Sequence, residues 1–138
     1  MKIETRCPPA PDATLAKNEA LKEYGFAAKN TNWAWGGRNE SVNSVCFIVW
    51  ERDIAGPERL GQFIVNLLLE DDFQKGGNGF NDRVEMIREA ERGAEAYALV
   101  ATRDTGSDSV KAIYPRLFRV ASIFSTSPHR FDAVLQIA

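Results

Sequence analysis

Hydrophobic positions along the chain change period several times, and each change predicts an element. Leu15, Ala16, Ala20, Leu21 and Tyr24 recur at helical spacing among Lys and Glu, which predicts a helix over 13–24. Asp12 or Thr14 offers its N-cap and Gly25 its stop. Before it, Cys7-Pro8-Pro9-Ala10-Pro11 predicts an extended leader, because proline removes the donors a helix needs. Trp33 and Trp35 stand two apart, the spacing that places both on one face of a strand. Residues 36–41, Gly-Gly-Arg-Asn-Glu-Ser, predict a turn, and Val45–Trp50 is an unbroken β-prone run suited to a strand buried on both faces. The two strands are expected to pair as a hairpin. Residues 60–69 predict a third strand, opened by Gly61 and free of charged helix formers, and 70–79 an acidic, flexible loop.

The clearest helix lies at 81–92. Asn81 or Asp82 caps it, Glu85 is placed for a capping box, and Val84, Met86, Ile87 and Ala90 mark its apolar face. Segments 96–102, 110–114, 117–124 and 131–137 predict four more strands, with Pro115 and Pro128 at edges or turns. Only one strand–helix–strand unit is available for a parallel pair. The expected fold is therefore α+β: a mainly antiparallel curved sheet or partly open barrel with two packed helices. With 138 residues, 44% of them apolar, one domain spanning 1–138 buries enough surface to fold without staples; residues 1–11 are its leader.

Charge and cysteine usage narrow the chemistry. The formal net charge is −2, with acidic residues in excess between 51 and 100 and basic ones slightly in excess on either side. No polyphosphate footprint is evident, although a local basic face is compatible with that distribution. Cys7 and Cys46 do not form a disulfide framework; a buried thiol at Cys46 and a loose one at Cys7 are expected, and one bridge between them stays open. No secretory leader or membrane-length apolar run appears, so a cytoplasmic location is expected.

All three tryptophans lie between positions 33 and 50. Around Asn32-Trp33-Ala34-Trp35-Gly36-Gly37-Arg38, with Trp50 close by in the proposed hairpin, two readings stand. The indoles stack a planar ligand or base while Arg38 holds an anion, or Trp33 and Trp35 fill the core between sheet and helix. Lys111, Arg116, Arg119 and Arg130, interleaved with Tyr114, Phe118 and Phe131, suit a nucleic-acid face, or ordinary charged strand edges.

Other constellations carry less. Three consecutive carboxylates at 70–72 point in different directions and read as a solvated loop. Glu51 and Asp53 would share one strand face, but a nuclease centre also needs a lysine in register, and Arg52 lies between them instead. His129, the only histidine, reads as a surface residue in a turn; with two distant cysteines it makes no zinc site, and no serine sits in a nucleophile elbow. Gly76-Gly77-Asn78-Gly79 lacks the Lys-Ser/Thr of a phosphate loop and reads as a connector. No metal, cofactor or catalytic residue is therefore expected.

The segments Tyr24-Gly25-Phe26, Trp33-Ala34-Trp35-Gly36 and Val45–Trp50, followed by Glu91-Arg92-Gly93, Tyr97–Val100 and Leu117–Val120, resemble an aromatic-rich β domain of bacterial proteins linked to DNA restriction. The resemblance covers about half the chain, and none of its motifs is chemically specific. It implies a DNA-facing accessory domain that reads bases in a restriction or phage-defence setting. No nuclease module is expected within these 138 residues. The reading that results is a non-enzymatic, base-stacking nucleic-acid binder. Its site would comprise Asn32, Trp33, Trp35, Arg38, Trp50, Arg116 and Arg119. A structural or protein-interaction component that forms homo-oligomers is the alternative, and a hydrolase or nuclease the third.

Overall fold

The computed structural model describes residues 17–28, 35–54, 59–103, 110–113 and 117–137. Their order is α1 (Lys17–Glu23), β1 (Gly36–Asn39), β2 (Ser44–Trp50), β3 (Gln62–Leu68), α2 (Glu70–Lys75), α3 (Asn78–Glu91), β4 (Glu95–Arg103), β5 (Val110–Ile113), β6 (Phe118–Ser127) and β7 (Arg130–Ile137). The strands form one mixed sheet in the order β1-β2-β4-β6-β7-β3, with β5 on the far end of β4. Only β2–β4 is parallel among the described pairings; the rest are antiparallel. The α+β class and the mainly antiparallel, incompletely closed sheet read from the sequence are what the structure has.

The sheet curls until its ends approach. Ile54, just after β2, bridges to Val65 of β3 across the gap. Phe47, Val49, Phe63, Val65, Leu67, Ala98, Val100, Phe118, Ala133 and Leu135 point inward and meet Met86 and Ile87 of α3. A second cluster lies on the opposite face, where Cys46, Ile48, Leu99 and Ala101 pack beneath Ala20 and Leu21 of α1 with Phe26. Strand β2 is thus buried on both faces, which is why its sequence is continuously apolar.

Three local expectations are corrected. The hairpin exists, but β1 occupies Gly36–Asn39, inside the residues expected to turn, and Trp35 only leads into it. Its glycines serve close packing: a Cβ on Gly36 would collide with the Cys46 carbonyl and come within 2.7 Å of Met86 Cε. The chain turns later, through the 3-10 turn Glu40–Val42 to Asn43, which takes a left-handed φ of 49°. The acidic segment 70–72 opens a third helix, α2, because the Asp72 carboxylate accepts the Leu69 N–H at 2.8 Å. Acidic side chains also suit the positive end of a helix dipole. Helix α3 begins at Asn78 rather than 81, and Gly79, Asp82, Arg83, Met86 and Ile87 form its buried stripe.

Glu51 and Asp53 lie in a 3-10 turn rather than on a strand face. Cys46 is free and buried, whereas Cys7 lies outside the described residues. No helix of the described residues is long and apolar enough to cross a membrane.

Candidate binding surfaces

The sequence directs attention to the tryptophans, and the structure places the two described ones, Trp35 and Trp50, on different clusters rather than on one platform. Trp35 is half-buried and packs on the inner cluster, whereas Trp50 packs on the outer one, with the Arg52 guanidinium 5.7 Å from its ring centroid. Asn32, Trp33 and Arg116 lie outside the described residues.

The aromatic face of Trp35 is taken by a residue the sequence reading missed. Arg83, buried on α3, sits with its guanidinium 5.3 Å from the Trp35 ring and 5.9 Å from Phe47. Its Nη1 donates to the Leu67 carbonyl at 2.8 Å; Nη2 donates to the Trp35 carbonyl at 3.0 Å and also to the Ile48 carbonyl. One planar cation thus joins the approach to β1, strand β2 and strand β3 at the place where the barrel stays open. Nε is buried without a partner. Burial lowers the guanidinium to about 10, partly offset by the carboxylates of Asp72, Asp53 and Asp82, so Arg83 is charged at neutral pH.

Arg38 is likewise engaged inside the protein. Its Nη1 donates to Asp82 at 2.8 Å and its Nε to Glu89 at 2.9 Å, so β1 is clamped onto α3. Burial alone would lower its pKa, yet the bonds to Asp82 and Glu89 outweigh burial and raise it. An external anion would have to displace two carboxylates. Where the sequence reading has Arg38 hold an anion, the structure shows its guanidinium bonded to Asp82 and Glu89. The half-buried Arg38 and the buried Asp82 and Arg83 together form a polar hub. Its sequence signal is two charged residues, Asp82 and Arg83, at stripe positions one turn before Met86 and Ile87.

Among the expected ligand residues that are described, Arg119 alone stands exposed on an uncovered surface. In β6 it is in register with Tyr97 of β4 on one side and Gln136 of β7 on the other, and Gln136 is in register with Gln62 of β3. Side chains opposite one another in register share a face. Because Phe118, Ala133, Leu135, Phe63 and Val65 point inward, this row points outward. The same face carries Ile64, 41% exposed, and Phe124, 36% exposed. Asn66 lies beside them, its amide bonded to Asp132 at 2.6 Å. Tyr97 donates its hydroxyl to Glu95 at 2.9 Å and keeps its ring at the edge of this surface. That bond is the largest of the effects that raise the Tyr97 pKa.

The aromatic interleaving read at the C-terminal end is rearranged. Phe118 is fully buried, Phe131 packs on the inner cluster, and Tyr114 lies outside the described residues. Phe124 and Tyr97 are the aromatic residues that border the open face instead. His129 is exposed in the β6–β7 turn, its ring 5.2 Å from Phe73. Among the described residues no three His, Cys, Asp or Glu side chains converge as metal ligands would. The chain matches no known family, no curated protein and no solved structure.

Proposed function

We propose that this chain is a non-enzymatic binding module that takes single-stranded nucleic acid on the outer face of β6, β7 and β3. One observation carries the reading: that face has an exposed aromatic ring, Phe124, and an exposed guanidinium, Arg119 beside Tyr97. Around them stand the side-chain amides of Gln62, Gln136 and Asn66. Rings stack on bases whatever their identity, a guanidinium meets phosphate or stacks, and amides bond base edges. Compared with the expectation from sequence, the ligand moves from the Trp35–Arg38 region to Arg119, because the former is used internally. The resemblance to aromatic-rich segments of DNA-restriction proteins favours the same ligand class and extends the proposal to a restriction or phage-defence setting.

The test is fluorescence anisotropy with labelled oligo-dT and oligo-U strands and a duplex of the same length. Single strands bind, and binding weakens as salt rises. Phe124→Ala lowers affinity by about 5- to 100-fold, the loss of about one stacked base. Arg119→Ala lowers affinity and flattens the salt slope by about one phosphate contact. Arg119 is exposed, so its variant keeps the melting temperature; Phe124 is 36% exposed, so its variant loses some packing and its affinity is measured below its own melting transition. Absence of binding by all three probes at low salt would overturn the reading. Leu60, fully exposed, and Ile64 would then favour a protein-interaction or homo-oligomeric role.

A further inference from the structure

Among the described residues, strand β6 is paired along its length on one side only. It follows β7 from Phe118 to Ser127. On the other side it meets β4 at two positions, Tyr97↔Arg119 and Ala98↔Phe118. Strand β5 lies against Ala101–Arg103, at the far end of β4. Among the described residues, therefore, no strand pairs with β6 on that side beyond Arg119. The register shift between Val120 and Ser122 marks a bulge, and a bulge bends the strand that carries it. Beyond it β6 and β4 part.

The notch between them holds a space of about 360 Å³, lined by the end of α3 and the two strand edges. That is within the usual range of small binding sites. Its walls are kept low by small residues: Ala90, Gly93, Ala94, Ala96 and Ala121. Val120 and Ile123 supply apolar surface at its base. Sheet edges left open are normally guarded by charge or proline. The run Val120–Ser127 carries neither, and Ala121, Ser122, Phe124 and Ser125 are exposed.

We infer that this notch is a docking site for an extended segment of a partner polypeptide, which adds as a strand along the free edge of β6. Only another backbone offers donors and acceptors at the spacing that a strand edge presents, which singles out an extended chain over a compact ligand. Alternate side chains of that segment face Ala90, Ala94 and Ile123, and must be apolar. The rim holds Glu91 and Glu95 against Arg119, so a segment bearing Lys or Arg at its outward positions is the complementary one. The notch shares Arg119 with the outward face assigned to nucleic acid, but its strand edge and its walls of small residues do not depend on that reading.

The test uses the whole chain and a blocked peptide, Lys-Val-Thr-Val-Lys-Val-Thr, with two controls: one with Glu in place of Lys, and one N-methylated at alternate backbone amides. The lysine peptide binds saturably below about 1 mM. The glutamate version is at least about tenfold weaker, and the N-methylated one does not bind. Amide exchange in Val120–Ser127 slows in the complex. Glu91→Gln, an exposed change that leaves the fold intact, weakens the lysine peptide alone. The inference is overturned by equal binding of the N-methylated peptide, by β6 amides unchanged at saturation, or by edge amides already protected in the free protein.

Discussion

Replacing Arg83 by methionine removes the cation and its donors while keeping an unbranched stem of similar reach. The wild-type guanidinium makes three hydrogen bonds to backbone carbonyls, from Leu67, Trp35 and Ile48. Bonds from a charged donor contribute about 1.5–3 kcal/mol each, or gross about 5–9 kcal/mol for three. Against this stands the desolvation of a buried cation, several kcal/mol, aggravated here by the unpartnered Nε. The net loss for Arg83→Met is about 2–4 kcal/mol, a large share of the stability of a domain this size. Arg83→Ala adds about 1–2 kcal/mol more through lost stem packing. Arg83→Lys falls between wild type and methionine, because one ammonium cannot span carbonyls on separate strands as a planar fork does. Urea unfolding followed by circular dichroism measures this as a lower midpoint at unchanged slope. Tryptophan emission should also change in the native state, since Trp35 loses the cation over its ring. A methionine variant as stable as wild type, or more so, would refute the reasoning: the buried carbonyls would then be satisfied without Arg83, and the barrel opening would not depend on it.

Arg38→Ala should cost about 1–3 kcal/mol of stability, because it unclamps β1 from Asp82 and Glu89, and should leave oligonucleotide affinity unchanged when measured below the melting transition. Gly36→Ala should destabilise by about 1–3 kcal/mol in thermal melts, since its Cβ has no room beside the Cys46 carbonyl and Met86. Burial pushes the Cys46 thiol far above its ordinary pKa, so in a Cys7→Ser chain a thiol-reactive dye should label Cys46 only after urea unfolds the protein.

How much of this was legible in the sequence depends on whether the deciding interaction was local. Val45–Trp50 was readable as a doubly buried strand because burial on both faces leaves its mark in every residue of the run. The pair Gly36-Gly37 read as a turn because glycine most often serves turns. Its role here is set by β2 and Ala27, since a Cβ on Gly37 would lie 3.0 Å from the Ala27 carbonyl oxygen, and no local rule anticipates that contact. The acidic run 70–72 read as solvated loop, although Asp72 stands three residues beyond Leu69, the separation at which a side chain caps a helix start; that signal was present and was outweighed by composition.

The candidate site follows the same division. Tryptophans draw notice because they are large and rare, yet Trp35 is held by a cation from α3, which is itself fixed by the carbonyls of Trp35, Ile48 and Leu67 that only the folded chain brings near. A charged pair at stripe positions of an otherwise apolar helix face was the available clue to that hub: neither Asp82 nor Arg83 can be buried there unless each meets a partner. Once that hub claims Arg38 and Trp35, the groups left facing outward are those that alternation places opposite the core. On β6 this selects Arg119 and, after the shift at the bulge, Phe124. The bulge therefore decides which side chain becomes the aromatic surface: the single added residue at Ala121 turns Phe124 outward rather than into the core, whereas the edge of β6 beyond it is open because β4 begins only at Glu95.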